Sequence, residues 1–135
     1  EIGTGCGYMT ALLAQCAKEV VSVDYYREFT ELAEANLNRF NIDNVVLYTG
    51  DGHRGWIEKA PYDVIVVTGS LPELDQIFKP QLMKGGKLFA IIGSDAAMKG
   101  TLFQLDSNDV WQQKVLFETS ANCLIGAEHQ SNFTF

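Results

Sequence analysis

Three glycines at alternate positions, Gly3, Gly5 and Gly7, stand behind Glu1 and ahead of an apolar helical pattern. Glycine is needed where the backbone takes positive φ or where a ligand must touch the main chain. A loop of this kind, opening a helix after a strand, is the nucleotide-cradling turn of a doubly wound α/β sheet. A dinucleotide fingerprint requires its third glycine at position 8; that place holds Tyr8, and the third glycine comes one residue early at Gly7. Asp24 follows at the distance where an acid ending the next strand accepts hydrogen bonds from ribose hydroxyls, and Tyr25 would cover the edge of the same ligand. The alternatives are that Asp24 caps the following helix and that Tyr25 is a packed aromatic. Gly50-Asp51-Gly52 offers a second acid, either an acceptor for a ligand amino group or a tight turn with a solvated carboxylate. Thr68 and Ser70 stand where the far end of such a ligand, or a second substrate, would lie.

The elements that must carry these residues alternate. Tyr8, Met9, Leu12, Leu13 and Cys16 recur at helical spacing, predicting a helix from Tyr8 to Ala17 packed on a sheet through that face. Glu19–Asp24 is a short buried strand, and Arg27–Phe40 a helix with Phe29, Leu32, Ala33, Leu37 and Phe40 inward. Val45–Thr49 is a strand. Val64–Val67 has the continuous apolar character of a central parallel strand. The spacing then predicts a loop at Thr68–Pro72, a short helix at Glu73–Leu82, a turn at Lys84–Gly86 and a strand at Lys87–Ile92. Thr101–Leu105 and Val110–Thr119 form an antiparallel edge pair around Asp106–Asp109, and Asn132–Phe135 reads as an edge strand. The fold class is α/β, a Rossmann-like doubly wound and mostly parallel sheet with an antiparallel C-terminal pair. The whole chain, 1–135, makes one domain that lacks the strand and helices feeding the glycine loop. Glu1 and Ile2 are too few to be that strand, so the Val20 and Val64 strands are expected to lose the neighbour between them. The chain alone is expected to aggregate or stay partly molten.

Composition removes several classes. A formal net charge of −7 with no Lys/Arg cluster disfavours nucleic acid. No apolar run approaches the roughly 20 residues that cross a membrane. Cys6, Cys16 and Cys123 are odd in number and widely spaced, which fits reduced thiols in a cytoplasmic protein. His53 and His129 have no ligand-like companions in sequence, so no metal is expected.

Glu1-Ile2-Gly3-Thr4-Gly5-Cys6-Gly7-Tyr8 resembles the first motif of class I methyltransferases. With Val21–Asp24, Gly50-Asp51-Gly52, Ala60–Thr68 and Leu82–Leu88, in this order, the stretch from Glu1 to about Gly93 resembles the protein-L-isoaspartate O-methyltransferase family. The resemblance implies S-adenosylmethionine as cofactor and S-adenosylhomocysteine as product. Glu1, Gly3, Gly5, Gly7, Asp24, Asp51 and Gly52 would line its site, with Thr4, Tyr8, Tyr25 and Thr68 beside them. It implies a protein or peptide substrate with an isoaspartyl carboxylate, hence protein repair. Catalytic residues are not identified, and the family's upstream Ser/Thr-Ala-Pro-His type motif lies outside the sequence. Thr68-Gly69-Ser70-Leu71 stands where nitrogen methyltransferases carry an Asn/Asp-Pro-Pro-aromatic motif, and counts against that subclass. The family's Val-Val-Pro-Leu type segment corresponds to Asn122–Gly126, without the proline. The alternatives are another small-molecule or protein acceptor, and a noncatalytic cofactor-binding module.

Overall fold

The computed structural model of the chain describes residues 1–94 and 97–128; the expected strand at Asn132–Phe135 and His129 lie outside them. In chain order the elements are α1 (Tyr8–Cys16), β1 (Val20–Asp24), α2 (Arg27–Arg39), β2 (Val45–Thr49) and a 3₁₀ turn at Ile57–Lys59. Then come β3 (Tyr62–Leu71), a 3₁₀ segment at Gln76–Gln81, β4 (Leu82–Ile92), β5 (Met98–Leu105) and β6 (Trp111–Thr119). β1 pairs in parallel with β2, and β3 in parallel with β4. β5 runs antiparallel to β4, and β6 antiparallel to β5.

The two groups of strands meet at Ile2, which makes parallel bridges to Val23 of β1 and Val67 of β3. Ile2 N–H donates to Val66 O at 2.8 Å and Ile2 O accepts from Thr68 N–H at 3.0 Å. On the other side Gly3 N–H donates to Val23 O at 2.8 Å, and Val23 N–H to Glu1 O at 3.0 Å. The order is therefore β2–β1–Ile2–β3–β4–β5–β6, a Rossmann-like, mostly parallel sheet. The expectation that β1 and β3 lack a neighbour needs correction at their carboxyl ends. A single extended residue offers N–H and C=O groups to both sides, and with its flanking residues it fills the slot at the carboxyl end. Farther back, Val64 is exposed, whereas Val20 is buried. Ile2, Val23, Ile65 and Val67 join Leu88, Ala90, Phe103 and Phe78 in one core.

α1 buries a different face from the one the apolar spacing predicts, and α2 buries Ala33 and Leu37 of its expected face but not the larger apolar residues. α1 turns Thr10 and Ala14 inward and leaves Tyr8, Met9 and Leu12 exposed; α2 buries Thr30, Ala33 and Leu37 but not Phe29, Leu32 or Phe40. Close approach is the reason. A Cβ on Gly7 would lie 3.0 Å from Ala33 Cβ, so only small residues fit where the start of α1 meets α2. Thr10 is buried because its hydroxyl donates to the Glu1 carboxylate.

Thr68–Leu71 is strand rather than loop, for a long-range reason. After the chain leaves β6, a return segment lays Cys123 in parallel beside Ser70, with Ser70 N–H donating to Asn122 O at 2.8 Å and Leu124 N–H to Ser70 O at 3.0 Å. The same edge of β3 thus serves Ile2 first and Cys123 two residues past Thr68. The expected helix at Glu73–Leu82 is the 3₁₀ segment instead, with Pro80 inside it and the Asp75 carboxylate accepting Ile77 N–H at its start. Lys84–Gly86 lies within β4, where Gly85 takes φ 76 beside a register shift.

Candidate functional site

The carboxyl ends of β1, β2 and β3 surround a cleft of about 370 Å³, closed on one side by the return segment Asn122–Ile125. The glycine loop forms its floor. Gly3 has φ 96, and a Cβ there would collide with Thr68 Oγ1. That hydroxyl lies 2.9 Å from Ile2 O and 2.7 Å from Gly3 O, its proton shared between them, pinning the loop to β3. Positive φ and the absent side chain are both required at this point.

Asp24 ends β1 and is buried. Its Oδ2 accepts Gly5 N–H at 2.9 Å and its Oδ1 accepts Tyr26 N–H at 3.0 Å. Tyr26 is the residue before α2, and no side chain caps that helix, so the carboxylate ties the glycine loop to the β1–α2 turn. Each oxygen has a further lone pair, and the residue lines the cleft, so Asp24 can still accept from a ligand.

Asp51 follows β2. Its Oδ1 lies 2.7 Å from His53 Nδ1 and accepts His53 backbone N–H at 3.1 Å. Burial pushes the Asp51 carboxyl up, but the bonds from the His53 ring and backbone outweigh it and hold the group below its ordinary value. Gly52 is buried, with room for a Cβ denied by Val23 Cγ1 at 2.8 Å.

Of the residues expected at the site, Gly3, Gly5, Asp24, Tyr25, Asp51, Gly52 and Thr68 line this cleft; Glu1, Thr4, Gly7 and Tyr8 do not. Glu1 lies under the loop, where its carboxylate accepts from Thr10 and, at 2.7 Å, from Ser22 Oγ. Burial pushes its carboxyl up against the pull of those two bonds. Thr4 Oγ1 is 2.6 Å from the same Ser22 hydroxyl. Gly7 is the N-cap of α1 at φ 84, and Tyr8 is 70% exposed, beside Phe40 on the outer surface. Glu1, Thr4 and Gly7 shape the loop from behind, and Tyr8 faces away from it.

Sequence reasoning missed Tyr26, Phe29 and His53 as lining residues, while the family resemblance had already singled out Asn122–Gly126, of which Asn122–Ile125 line the cleft. Only His53 carried a local signal, its place two residues after Asp51, where a side chain and backbone N–H can both reach one carboxylate oxygen. The return segment is brought in by pairing with Ser70 across 53 positions (123 minus 70), which no local pattern encodes. Beyond His53 the surface opens into a second cavity of about 710 Å³ that includes Arg54, Leu71, Asp75 and Gly126. Among the described residues no group of three or more His, Cys, Asp or Glu side chains is placed to hold a metal, and no helix is long and apolar enough to cross a membrane.

Two carboxylates at strand ends, above a loop whose main chain is bare, suit a ligand with sugar hydroxyls and an amino-bearing base. A profile of the family "Protein-L-isoaspartate(D-aspartate) O-methyltransferase (PCMT)" matches residues 1–125. The protein-L-isoaspartate O-methyltransferase of Brucella anthropi is 40% identical over 102 residues, 76% of this chain and 47% of that protein. That of Methanoculleus marisnigri is 46% identical over 93 residues, 69% of this chain and 42% of that protein. A solved protein-L-isoaspartate O-methyltransferase superposes with TM-score 0.82 at 32% identity, covering 93% of this chain and 41% of that one. The chain thus spans less than half the length of each of these three relatives, at 47%, 42% and 41%. The fold is that of the class I, S-adenosylmethionine-dependent methyltransferases, and with the glycine loop, Asp24 and Asp51 falling inside the matched region, the chain belongs to the protein-L-isoaspartate O-methyltransferase family.

Proposed function

We propose that the cleft binds S-adenosylmethionine and that the protein methylates the carboxylate of L-isoaspartyl residues in damaged proteins. The observation that carries the reading is Asp24: a buried carboxylate with one backbone donor on each oxygen and acceptor capacity left toward the cleft. A pair of ribose hydroxyls completes it, since a buried carboxylate is stabilised by every further donor. Asp51 Oδ2, not used by His53, is the acceptor for the adenine amino group. Gly3 and Gly5 let the ligand approach the main chain, and Thr68 keeps that main chain in place.

When bound, S-adenosylmethionine supplies a methyl carbon activated by its sulfonium and is left as S-adenosylhomocysteine. An acceptor carboxylate with pKa near 4 is ionised at neutral pH, so no side chain of this chain has to remove a proton. The residues instead orient and exclude water. The return segment walls the cleft with Leu124 and Ile125.

The test is methyl transfer from labelled S-adenosylmethionine to an isoaspartyl peptide, run beside calorimetric titration with S-adenosylhomocysteine and with NADH. Transfer to the isoaspartyl peptide but not to its aspartyl counterpart supports the reading. Cofactor binding without transfer removes the acceptor, and preference for NADH removes the cofactor. One observation favours a second reading, the same cofactor with a different acceptor. The wall segment lacks the family's proline, and Leu124 uses the backbone N–H that a proline would not have.

A further inference from the structure

His53 belongs to both cavities and to neither expected role. It is neither a metal ligand nor part of the glycine loop, yet it lies at the boundary between the 370 Å³ cleft and the 710 Å³ cavity. Its Nδ1 and backbone N–H both address one oxygen of Asp51, Oδ1, at 2.7 and 3.1 Å. The return segment boxes the ring on another side. Gly126 has φ 86, and a Cβ there would stand 2.8 Å from His53 Nδ1 and 3.2 Å from Asp51 Oδ2. Bare backbone therefore packs over the pair, and rotation of either side chain toward that segment is blocked.

We propose that His53 is a positioning residue for Asp51: by occupying Oδ1 it fixes the carboxylate so that Oδ2 is presented to the base of the nucleoside, and so sets the preference for a 6-amino purine. The inference rests on the reading that this cleft binds S-adenosylmethionine. An aspartate that is 47% exposed would otherwise sample several rotamers, and the cost of ordering it would fall on ligand binding.

The probe pair is S-adenosylhomocysteine and S-inosylhomocysteine, which differ at position 6, an amino donor against a carbonyl acceptor, and at N1, an acceptor against an N–H donor. Binding is titrated to the full chain, to Asp51→Asn, to two His53 variants and to the double variant. His53→Leu fills similar space without a donor. His53→Asn places an amide nitrogen near the position of Nδ1 and keeps one. His53→Leu is expected to reduce the preference for the adenosyl ligand by about ten-fold, the scale of a hydrogen bond to a charged group, with affinity for the inosyl ligand unchanged. His53→Asn is expected to restore the preference, and His53→Leu to have no further effect on it in the Asp51→Asn background.

A wild-type protein that fails to bind S-adenosylhomocysteine overturns the cofactor reading and takes this inference with it, whereas one that binds both ligands alike overturns this inference alone. A wild type that discriminates, with Asp51→Asn losing discrimination and His53→Leu keeping it, overturns this inference alone. So does equal weakening of both ligands by His53→Leu, or failure of His53→Asn to rescue.

Discussion

At Asp24 one carboxylate serves the fold and faces the cleft at once. Asp24→Asn replaces an acceptor by a donor against Gly5 N–H or Tyr26 N–H, so it should act on both. We expect S-adenosylhomocysteine to bind at least about ten-fold more weakly by calorimetry, with a lower Tm in the absence of ligand. Asp51 gives a pH signature. Its carboxyl is held below the ordinary value of 3.8, so its contribution to stability is present above that pH and is lost as pH falls through the depressed value. The stability difference between wild type and Asp51→Asn should therefore shrink below about pH 4 in an acid-unfolding series. Residue types alone found both acids. They did not find that Glu1 points beneath the loop, because its direction is fixed by Thr10 and Ser22, hydroxyls on two other elements.

Elements divide by the range of the interactions that define them. β2 is found where the strand-like run closed by Gly50-Asp51-Gly52 puts it, at Val45–Thr49, and α1, β1 and α2 end within a residue of expectation. Those boundaries are local: the glycine loop, Asp24 and Asn41, which takes φ 55 just after α2, set them. Helix orientation was legible only at Ala33 and Leu37 of α2; the rest is decided by how closely α1 and α2 meet, where small residues win the contact over large apolar ones. Gly7→Ala tests this. The new methyl group meets Ala33 and the backbone stands at φ 84, so a loss of about 1–3 kcal/mol is expected in chemical denaturation, with m unchanged. The extension of β3 to Leu71 depends on the return segment and was equally hidden from any local pattern.

For the whole molecule, the large apolar side chains left outside the core matter most. Tyr8, Met9, Leu12, Phe29, Leu32 and Phe40 are exposed on the two helices, and Val115, Leu116 and Phe117 on β6, a strand paired on one side only among the described residues. An exposed apolar strand edge is a template for pairing with another chain. The 135-residue chain should therefore self-associate with rising concentration in light scattering, and Val115→Lys should reduce it. The slot between β1 and β3, filled by Ile2 at its carboxyl end and leaving Val64 exposed farther back, adds to this ground.

The slot itself leads elsewhere. Among the described residues, Glu1, Ile2 and Gly3 supply the backbone bonds that stitch β1 to β3, and the same three residues run straight into the ligand loop. Anything that quiets the loop also quiets the seam. Occupancy of the cleft should then be readable far from any ligand atom, as slower amide deuteration of Ile2, Val23 and Thr68, whose N–H groups cross the seam, while β6 exchanges at its former rate.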